Sequence, residues 1–133
     1  MRSDEWNQKV PGTSTPHGST TIAPNFRRVI TEGRRAVARL EPVLSSENLS
    51  LEEWLILDVL SDADGLSMSQ LGSETLASSA TLSRHVDSLV NRACVYRQVG
   101  AEDRRQFLIF MSTRGRALHG FVAGQLRELA AND

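Results

Sequence analysis

The chain has 133 residues, 40% of them hydrophobic, and a formal net charge of −1, which indicates one globular domain, with or without a tail, and excludes a protein that is basic overall. Its single cysteine excludes an intramolecular disulfide framework. No apolar run is long enough to cross a bilayer, and the N-terminus lacks the apolar core of a signal peptide, so we expect a cytoplasmic protein without a membrane segment.

Charge is distributed unevenly along the chain. Residues 45–77 contain seven acids and no Lys or Arg, whereas residues 78–105 contain five arginines. Of the 15 basic residues, 14 are Arg, and the planar fork of donors on Arg suits phosphates and guanine edges. Genome composition explains this bias equally well, so composition alone leaves nucleic-acid binding open.

The N-terminal sequence predicts a flexible tail followed by a helix. Residues 1–23 are rich in Ser, Thr, Gly and Pro without periodicity, which predicts a flexible tail. Pro24 suits the first turn of a helix, and apolar residues recur at helical spacing after it. We therefore predict a helix from Pro24 to about Leu40, with Pro42 near its end, within an N-terminal segment of residues 24–44.

Two capping boxes mark the next helices. Ser50-Leu-Glu-Glu53 predicts a helix from Leu51 to Leu60, with Trp54 and Leu57 inside, and Ser67-Met-Ser-Gln70 predicts a short helix through Leu71. Between the two lies the turn Asp62-Ala-Asp-Gly65. A longer helix that begins at Ser78 completes the pattern of a helix-turn-helix.

The longer helix has two distinct faces. On a helical wheel the apolar stripe comprises Leu82, Val86, Leu89, Val90 and Ala93. The opposite face comprises Ala80, Thr81, Arg84 and Ser88, with His85 on the flank. Solvated helices more often carry Glu and Lys at such positions, so this small, polar face predicts close contact with a partner surface.

A β-hairpin and a last helix follow. Val95–Val99 and Phe107–Met111 are short and rich in β-formers, and the charged turn Gly100–Arg105 separates them. Ser112 or Thr113 caps the last helix, in the segment of residues 113–133, and its apolar stripe comprises Leu118, Phe121, Val122, Leu126 and Leu129. We expect the first and last helices to bury their stripes against each other and a second subunit; packing within one chain is the alternative.

The stretch from Leu51 to Met111 resembles the winged helix-turn-helix of the MarR (multiple antibiotic resistance regulator) family. The matching pieces are LSLEEWLILDVL, SMSQL, SATLSRHVDSLV, VYR and EDRRQFLIFMSTRGRAL. The resemblance implies a mainly α fold with a small antiparallel β-hairpin, the winged helix-turn-helix at residues 45–112. It also implies N- and C-terminal dimerisation helices, a homodimer, and a recognition helix and wing that read neighbouring DNA grooves.

The resemblance also assigns residue roles. Thr81 and Arg84 match family residues that contact bases or adjacent phosphates, Arg105 matches the wing arginine that enters the minor groove, and Asp103 matches the acid that orients it. The helix start near Ser78 suits a phosphate. The complete predicted DNA-binding set is Ser78, Ser79, Ala80, Thr81, Arg84, His85, Ser88, Asp103, Arg104 and Arg105.

The leading function is therefore a sequence-specific regulator that binds double-stranded DNA at a pseudo-palindromic operator, with repression the commoner mode in such families. A small aromatic or apolar effector is implied by the family only, and Trp54 and Phe26 are candidate lining residues. The alternative is a winged-helix module for protein–protein contact. Scattered histidines and the lack of a phosphate loop or metal-ligand spacing predict no catalytic, cofactor or metal site. Cys94 is read as a small core residue rather than a redox sensor.

Overall fold

The computed structural model describes the backbone of residues 16–132 and the side chains of residues 23–132. Within this part the helices are α1 (Pro16–Ser46), α2 (Leu51–Ser61), α3 (Met68–Thr75), α4 (Ser79–Asn91) and α5 (Thr113–Ala131). The strands are β1 (Leu66–Ser67), β2 (Val95–Val99) and β3 (Phe107–Met111), in an antiparallel sheet of order β1-β3-β2. This order of elements confirms the predicted winged helix-turn-helix.

The first helix is longer at both ends than the sequence predicted. It begins at Pro16, so residues 16–23 of the predicted tail are helical, while residues 1–15 lie outside the described residues. The proline rule that favoured Pro24 applies equally to Pro16, and each turn added to an existing helix gains hydrogen bonds. At the other end the helix continues past Pro42 to Ser46, because the last turn buries Leu44 in the core.

The chain divides into two compact units, Met1–Arg39 and Leu40–Asp133. In the first unit, Phe26, Val29 and Ile30 are exposed on α1. The second unit contains the winged helix and α5. In it, α2 lies at the centre and contacts α3, α4, α5 and β3. Its fully buried side chains include Leu44, Ile56, Leu57, Leu60, Leu71, Leu89, Ile109 and Val122.

Both predicted capping boxes are confirmed. The Glu53 N–H donates to Ser50 Oγ at 3.1 Å and the Ser50 N–H donates to Glu53 Oε1 at 2.9 Å; Ser67 and Gln70 repeat the pair at 3.1 and 2.9 Å. The helix that Ser67 caps runs on beyond the predicted end at Leu71 to Thr75. A Cβ at Gly72 would lie 3.7 Å from Leu82 Cδ2, an ordinary contact distance, so the packing of this extension does not depend on glycine.

The sheet has one strand more than the predicted hairpin. β2 and β3 have the predicted bounds, whereas β1 was missed; its Leu66 pairs with Ile109 of β3. The predicted turn before β1 ends at Gly65, whose φ is +87°. A Cβ at Gly65 would lie 2.5 Å from the Phe110 ring, so this position needs glycine for both its backbone and its space.

A joint closes the base of the wing. Ser112 caps α5 by accepting from the Gly115 N–H at 3.0 Å, and its hydroxyl donates to the Ala93 carbonyl at 2.6 Å. A Cβ at Gly115 would lie 2.1 Å from the Cys94 carbonyl oxygen. Cys94 is buried, which confirms it as a core residue. Ala93 was wrongly placed in the buried stripe, because α4 ends at Asn91 and Ala93 is exposed with φ +60°.

Candidate nucleic-acid interface

The N-terminus of α4 opens to solvent. Ser78 is its cap: the Thr81 N–H donates to Ser78 Oγ at 3.3 Å, and the Ser78 hydroxyl donates to Thr81 Oγ1 at 3.0 Å. Ser78, Ser79 and Ala80 are all exposed. The first N–H groups of the helix and the positive end of its dipole therefore face outward, where an anion is favoured.

The buried stripe of α4 and its exposed Arg84 agree with the wheel. Leu82, Val86 and Leu89 are buried, and Arg84 is exposed with no ion pair among the described residues. His85 is half-buried, as its predicted place on the flank implies, and Thr81, predicted on the open face, is half-buried too. The exposed surface is thus built from small side chains around one arginine.

Ser88 departs from the predicted open face. It is half-buried, and its hydroxyl donates to Glu53 Oε2 of α2 at 2.8 Å. The face that is open near Arg84 is therefore covered by α2 one turn later. A single-helix wheel takes no account of a crossing helix, which is why this part of the prediction was wrong.

Two of the five arginines in residues 78–105 are bonded to residues of other elements. Arg92 donates to the carbonyls of Asn48 at 2.7 Å and Glu47 at 3.0 Å. Arg97 forms an ion pair with Asp87. Arg84 on α4 and Arg104 and Arg105 on the wing therefore form the remaining basic surface.

The wing tip is a tight, hydrogen-bonded turn. The Gly100 N–H donates to the Gln106 carbonyl at 2.7 Å and the Gln106 N–H donates to the Asp103 carbonyl at 3.1 Å. Asp103 Oδ1 accepts from the Arg105 N–H at 3.0 Å and lies 3.6 Å from Arg105 Nε. The Arg105 side chain is 93% exposed, so Asp103 orders the backbone under this arginine while the guanidinium extends into solvent.

Glu53 is the residue that sequence reasoning undervalued. It is only 7% exposed. Burial alone would raise the pKa of its carboxyl, but hydrogen bonds from the Ser50 N–H, the Ser88 hydroxyl and Ser50 Oγ, together with the charge of Arg92, lower that pKa below its usual range. The sequence predicted the role of Glu53 in the cap of α2. It did not predict the contacts of Glu53 with Ser88 and Arg92, because these residues lie 35 and 39 positions further along the chain.

Other candidate chemistry is sparse in the described residues. No group of three or more His, Cys, Asp or Glu side chains among them is arranged to hold a metal ion, and no described helix has the length and apolarity needed to cross a bilayer. His119 on α5 places Nε2 2.8 Å from Asp58 Oδ1 on α2, which ties these two helices together.

Comparison with known proteins identifies the domain. The sequence model of the MarR family matches residues 47–106, which span α2 to the wing tip. The winged helix of this chain therefore matches the MarR family over residues 47–106. A curated relative, the HTH-type transcriptional regulator TtmR of Methylorubrum extorquens, is 33% identical over 78 residues, which are 59% of this chain and 40% of TtmR. The chain thus spans about two fifths of the length of that relative.

Solved structures of MarR-family proteins share the fold. A MarR-family transcriptional regulator from Silicibacter pomeroyi is 28% identical, with a TM-score of 0.67 over 80% of this chain and 70% of that one. A mutant of MepR from S. aureus, solved bound to an oligodeoxyribonucleotide, is 21% identical, with a TM-score of 0.66 over 84% of this chain and 80% of MepR. The MarR fold therefore extends beyond the matched segment into the flanking helices.

Proposed function

We propose that this MarR-family chain is a sequence-specific regulator that binds double-stranded DNA as a homodimer. The N-terminal turns of α4 lie in the major groove and the wing lies in an adjacent minor groove. One observation carries the proposal: two surfaces of this domain are open to solvent and carry an arginine that is not bonded to another element. They are the small-residue start of α4 with Arg84, and the wing tip with Arg105, whose side chain is 93% exposed.

The proposed major-groove surface starts at the α4 N-terminus. The N–H groups near Ser78 and Ser79 anchor a phosphate, which sets the register of the helix on the duplex. Ala80 and Thr81 add little bulk, so the helix approaches the base edges closely. Arg84 then bonds guanine O6 and N7, or clamps a phosphate. Ser88 contributes through its position on α4, since its hydroxyl is already bonded to Glu53.

The proposed minor-groove surface is the wing tip. Arg105 gains most where the groove is narrow and A·T-rich, because the negative potential is deepest there. Asp103 would repel DNA if it were unpaired, but its Oδ1 lies 3.6 Å from Arg105 Nε, so the guanidinium offsets its charge. Arg104 lies beside it, exposed, and contributes a phosphate contact.

The homodimer follows from exposed apolar residues outside the winged helix. Phe26, Val29 and Ile30 on α1 and Phe121 on α5 are each at least half exposed, as expected of surfaces that a second chain covers. We propose residues 24–44 and 113–133 as the dimerisation segments around the DNA-binding part at 45–112. A two-fold dimer reads two half-sites, hence a pseudo-palindromic operator.

We further propose that the protein represses transcription and that an effector releases it from DNA. A regulator that covers its operator blocks access to it, and a small aromatic or apolar effector would release it. Trp54 supports such a site, because its indole N–H is buried without a hydrogen-bond partner among the described residues and needs an acceptor.

The test is selection of binding sites from random duplexes, followed by affinity measurements on the selected site. We expect a palindromic site with salt-dependent affinity. Arg84→Ala should weaken binding to that site about 10- to 100-fold, the range for losing one bidentate base contact. Arg105→Ala should weaken binding and reduce the preference for A·T-rich flanks.

Arg116→Ala is the matched control, because Arg116 is an exposed arginine on α5, on the side away from the apolar stripe of that helix; it should change affinity little. Failure to select any duplex would contradict the proposal and favour a protein–protein module. Equal losses for all three arginine variants would contradict the assignment of the two surfaces.

A further inference from the structure

We infer that Glu53 is a positioning residue for DNA reading: its buried carboxylate holds the C-terminal turns of α4 against α2 and thereby fixes how the N-terminal turns project. The inference rests on the proposed function, because it concerns the pose of the proposed recognition helix. No base or phosphate contact is assigned to Glu53 itself, since it acts through Ser88.

Each oxygen of the carboxylate serves a different helix. Oε1 accepts from the Ser50 N–H at 2.9 Å, which completes the cap of α2. Oε2 accepts from the Ser88 hydroxyl on α4 at 2.8 Å. One side chain therefore joins the start of α2 to the second half of α4, and neither bond can shift without disturbing the other.

The second capping box shows that the cap alone does not require a carboxylate. Gln70 completes the cap on Ser67 at the same distances of 2.9 and 3.1 Å, and Gln70 is exposed. Glu53 is buried, and an ionised carboxylate is costly to bury unless it is fully hydrogen-bonded. Glu53 also accepts from Ser88 and faces the charge of Arg92, and the two contacts together favour a carboxylate at the buried box.

The hydrogen bond between Glu53 and Ser88, here called the bridge, lies on the side of α4 that carries the residues proposed to contact DNA. Thr81, Arg84 and Ser88 lie at positions i, i+3 and i+7, which share one side of a helix. This side is exposed at Arg84 and bonded to α2 at Ser88. Fixing Ser88 therefore fixes the rotation of α4 about its own axis, and this rotation decides where Arg84 points.

Arg92 adds a second tie at the same place. Its guanidinium donates to the carbonyls of Glu47 and Asn48, which follow α1, and Nη1 lies 3.9 Å from Glu53 Oε2. The end of α1, the start of α2 and the end of α4 are thus joined around one carboxylate. The charge of Arg92 also favours the ionised form of Glu53 that accepts both hydrogen bonds.

A double-mutant cycle tests the bridge. The variants are Ser88→Ala, Glu53→Ala and the pair, with Glu53→Asp as a milder change that keeps the charge but is too short to reach both partners. The measurement is the ratio of the dissociation constants for a scrambled duplex and for the selected site. Ser88→Ala should lower this ratio about three- to tenfold, and should lower it no further when Glu53 is already replaced.

Ser50→Ala is the control, because it removes the capping hydroxyl of α2 and leaves the bond between Glu53 and Ser88. It should lower the denaturation midpoint while the ratio stays at the unaltered value, which separates positioning from stability. Ser88→Thr retains a hydroxyl and should keep most of the ratio.

Three results would overturn the inference. The first is an equal loss of the ratio for Ser88→Ala with and without Glu53, which would make Ser88 a direct DNA contact. The second is an unchanged ratio for Ser88→Ala, and the third is an equal loss for Ser50→Ala. An unaltered protein that shows no preference among duplexes would overturn the proposed function itself, and so that failure is distinguishable from failure of the bridge alone.

Discussion

Leu76 adopts a backbone conformation that ordinarily belongs to glycine. It follows α3 with φ 58° and ψ 24°, in the left-handed region, and its N–H donates to the Gly72 carbonyl at 2.8 Å. Its side chain is 90% exposed, so burial of the isobutyl group does not offset the strain of this conformation. The sharp turn between α3 and α4 is therefore made at the expense of stability.

Leu76→Gly should relieve this strain and raise the free energy of unfolding by about 0.5–1 kcal/mol, measured by urea denaturation. The neighbouring change Ala77→Gly is the control, since the φ of Ala77 is not positive; it should destabilise the protein by a similar amount. A loss of stability for Leu76→Gly would show that the exposed side chain makes a stabilising contact.

The ionisation of Glu53 makes a pH-dependent contribution to stability. Its pKa is lowered in the folded chain, so folding favours the charged form. This contribution is fully present above the pKa of the unfolded chain and is lost as the pH falls through the lower folded pKa.

Glu53→Gln should therefore flatten the acid side of the stability profile. We expect the difference in denaturation midpoint between the unaltered protein and Glu53→Gln to shrink between about pH 5 and pH 3. Glu128→Gln, an exposed change on α5, should leave the profile nearly parallel to that of the unaltered protein. A difference that grows on acidification would contradict the lowered pKa.

At the scale of elements, helix starts with local chemistry were predictable and long-range pairings were not. Ser50, Ser67 and Ser78 each begin a helix through bonds within three residues, and sequence reasoning found all three starts. The first helix offered two prolines that satisfy the same rule, so its start at Pro16 was ambiguous.

Strands and contacts that depend on residues far apart along the chain had no local sequence pattern from which to predict them. β1 is two residues long and exists because Leu66 pairs with Ile109, far along the chain. The bond from Ser88 to Glu53 joins residues 35 positions apart. Of the candidate site, the α4 start and the wing were therefore predictable from the sequence, whereas the contacts that orient α4 were not.

At the scale of the whole molecule, the proposed homodimer rests on exposed apolar residues of α1. Phe26, Val29 and Ile30 are 65%, 66% and 54% exposed. They recur at i, i+3 and i+4, on one side of the helix. Such a stripe left in water favours association, because each side chain gains about 1.5–3 kcal/mol when fully buried.

Ile30→Glu should therefore shift the protein from dimer to monomer in sedimentation equilibrium and weaken operator binding, because a monomer reads one half-site. The helical signal in circular dichroism should persist, since the winged-helix core excludes this residue. Arg35→Glu changes an exposed position on the opposite side of α1 and should leave the dimer intact. A dimer that survives Ile30→Glu would place the interface elsewhere.

The joint at the base of the wing makes the core largely independent of the wing tip. The Ser112 N–H donates to the Cys94 carbonyl at 3.0 Å and Gly115 packs against the same carbonyl, so both ends of the hairpin are held whatever its tip contains. Loop entropy changes slowly with length, which makes insertions at the tip thermodynamically mild. Changes in the length or sequence of the wing tip should therefore leave the packing of the core, and with it the stability of the domain, nearly unchanged.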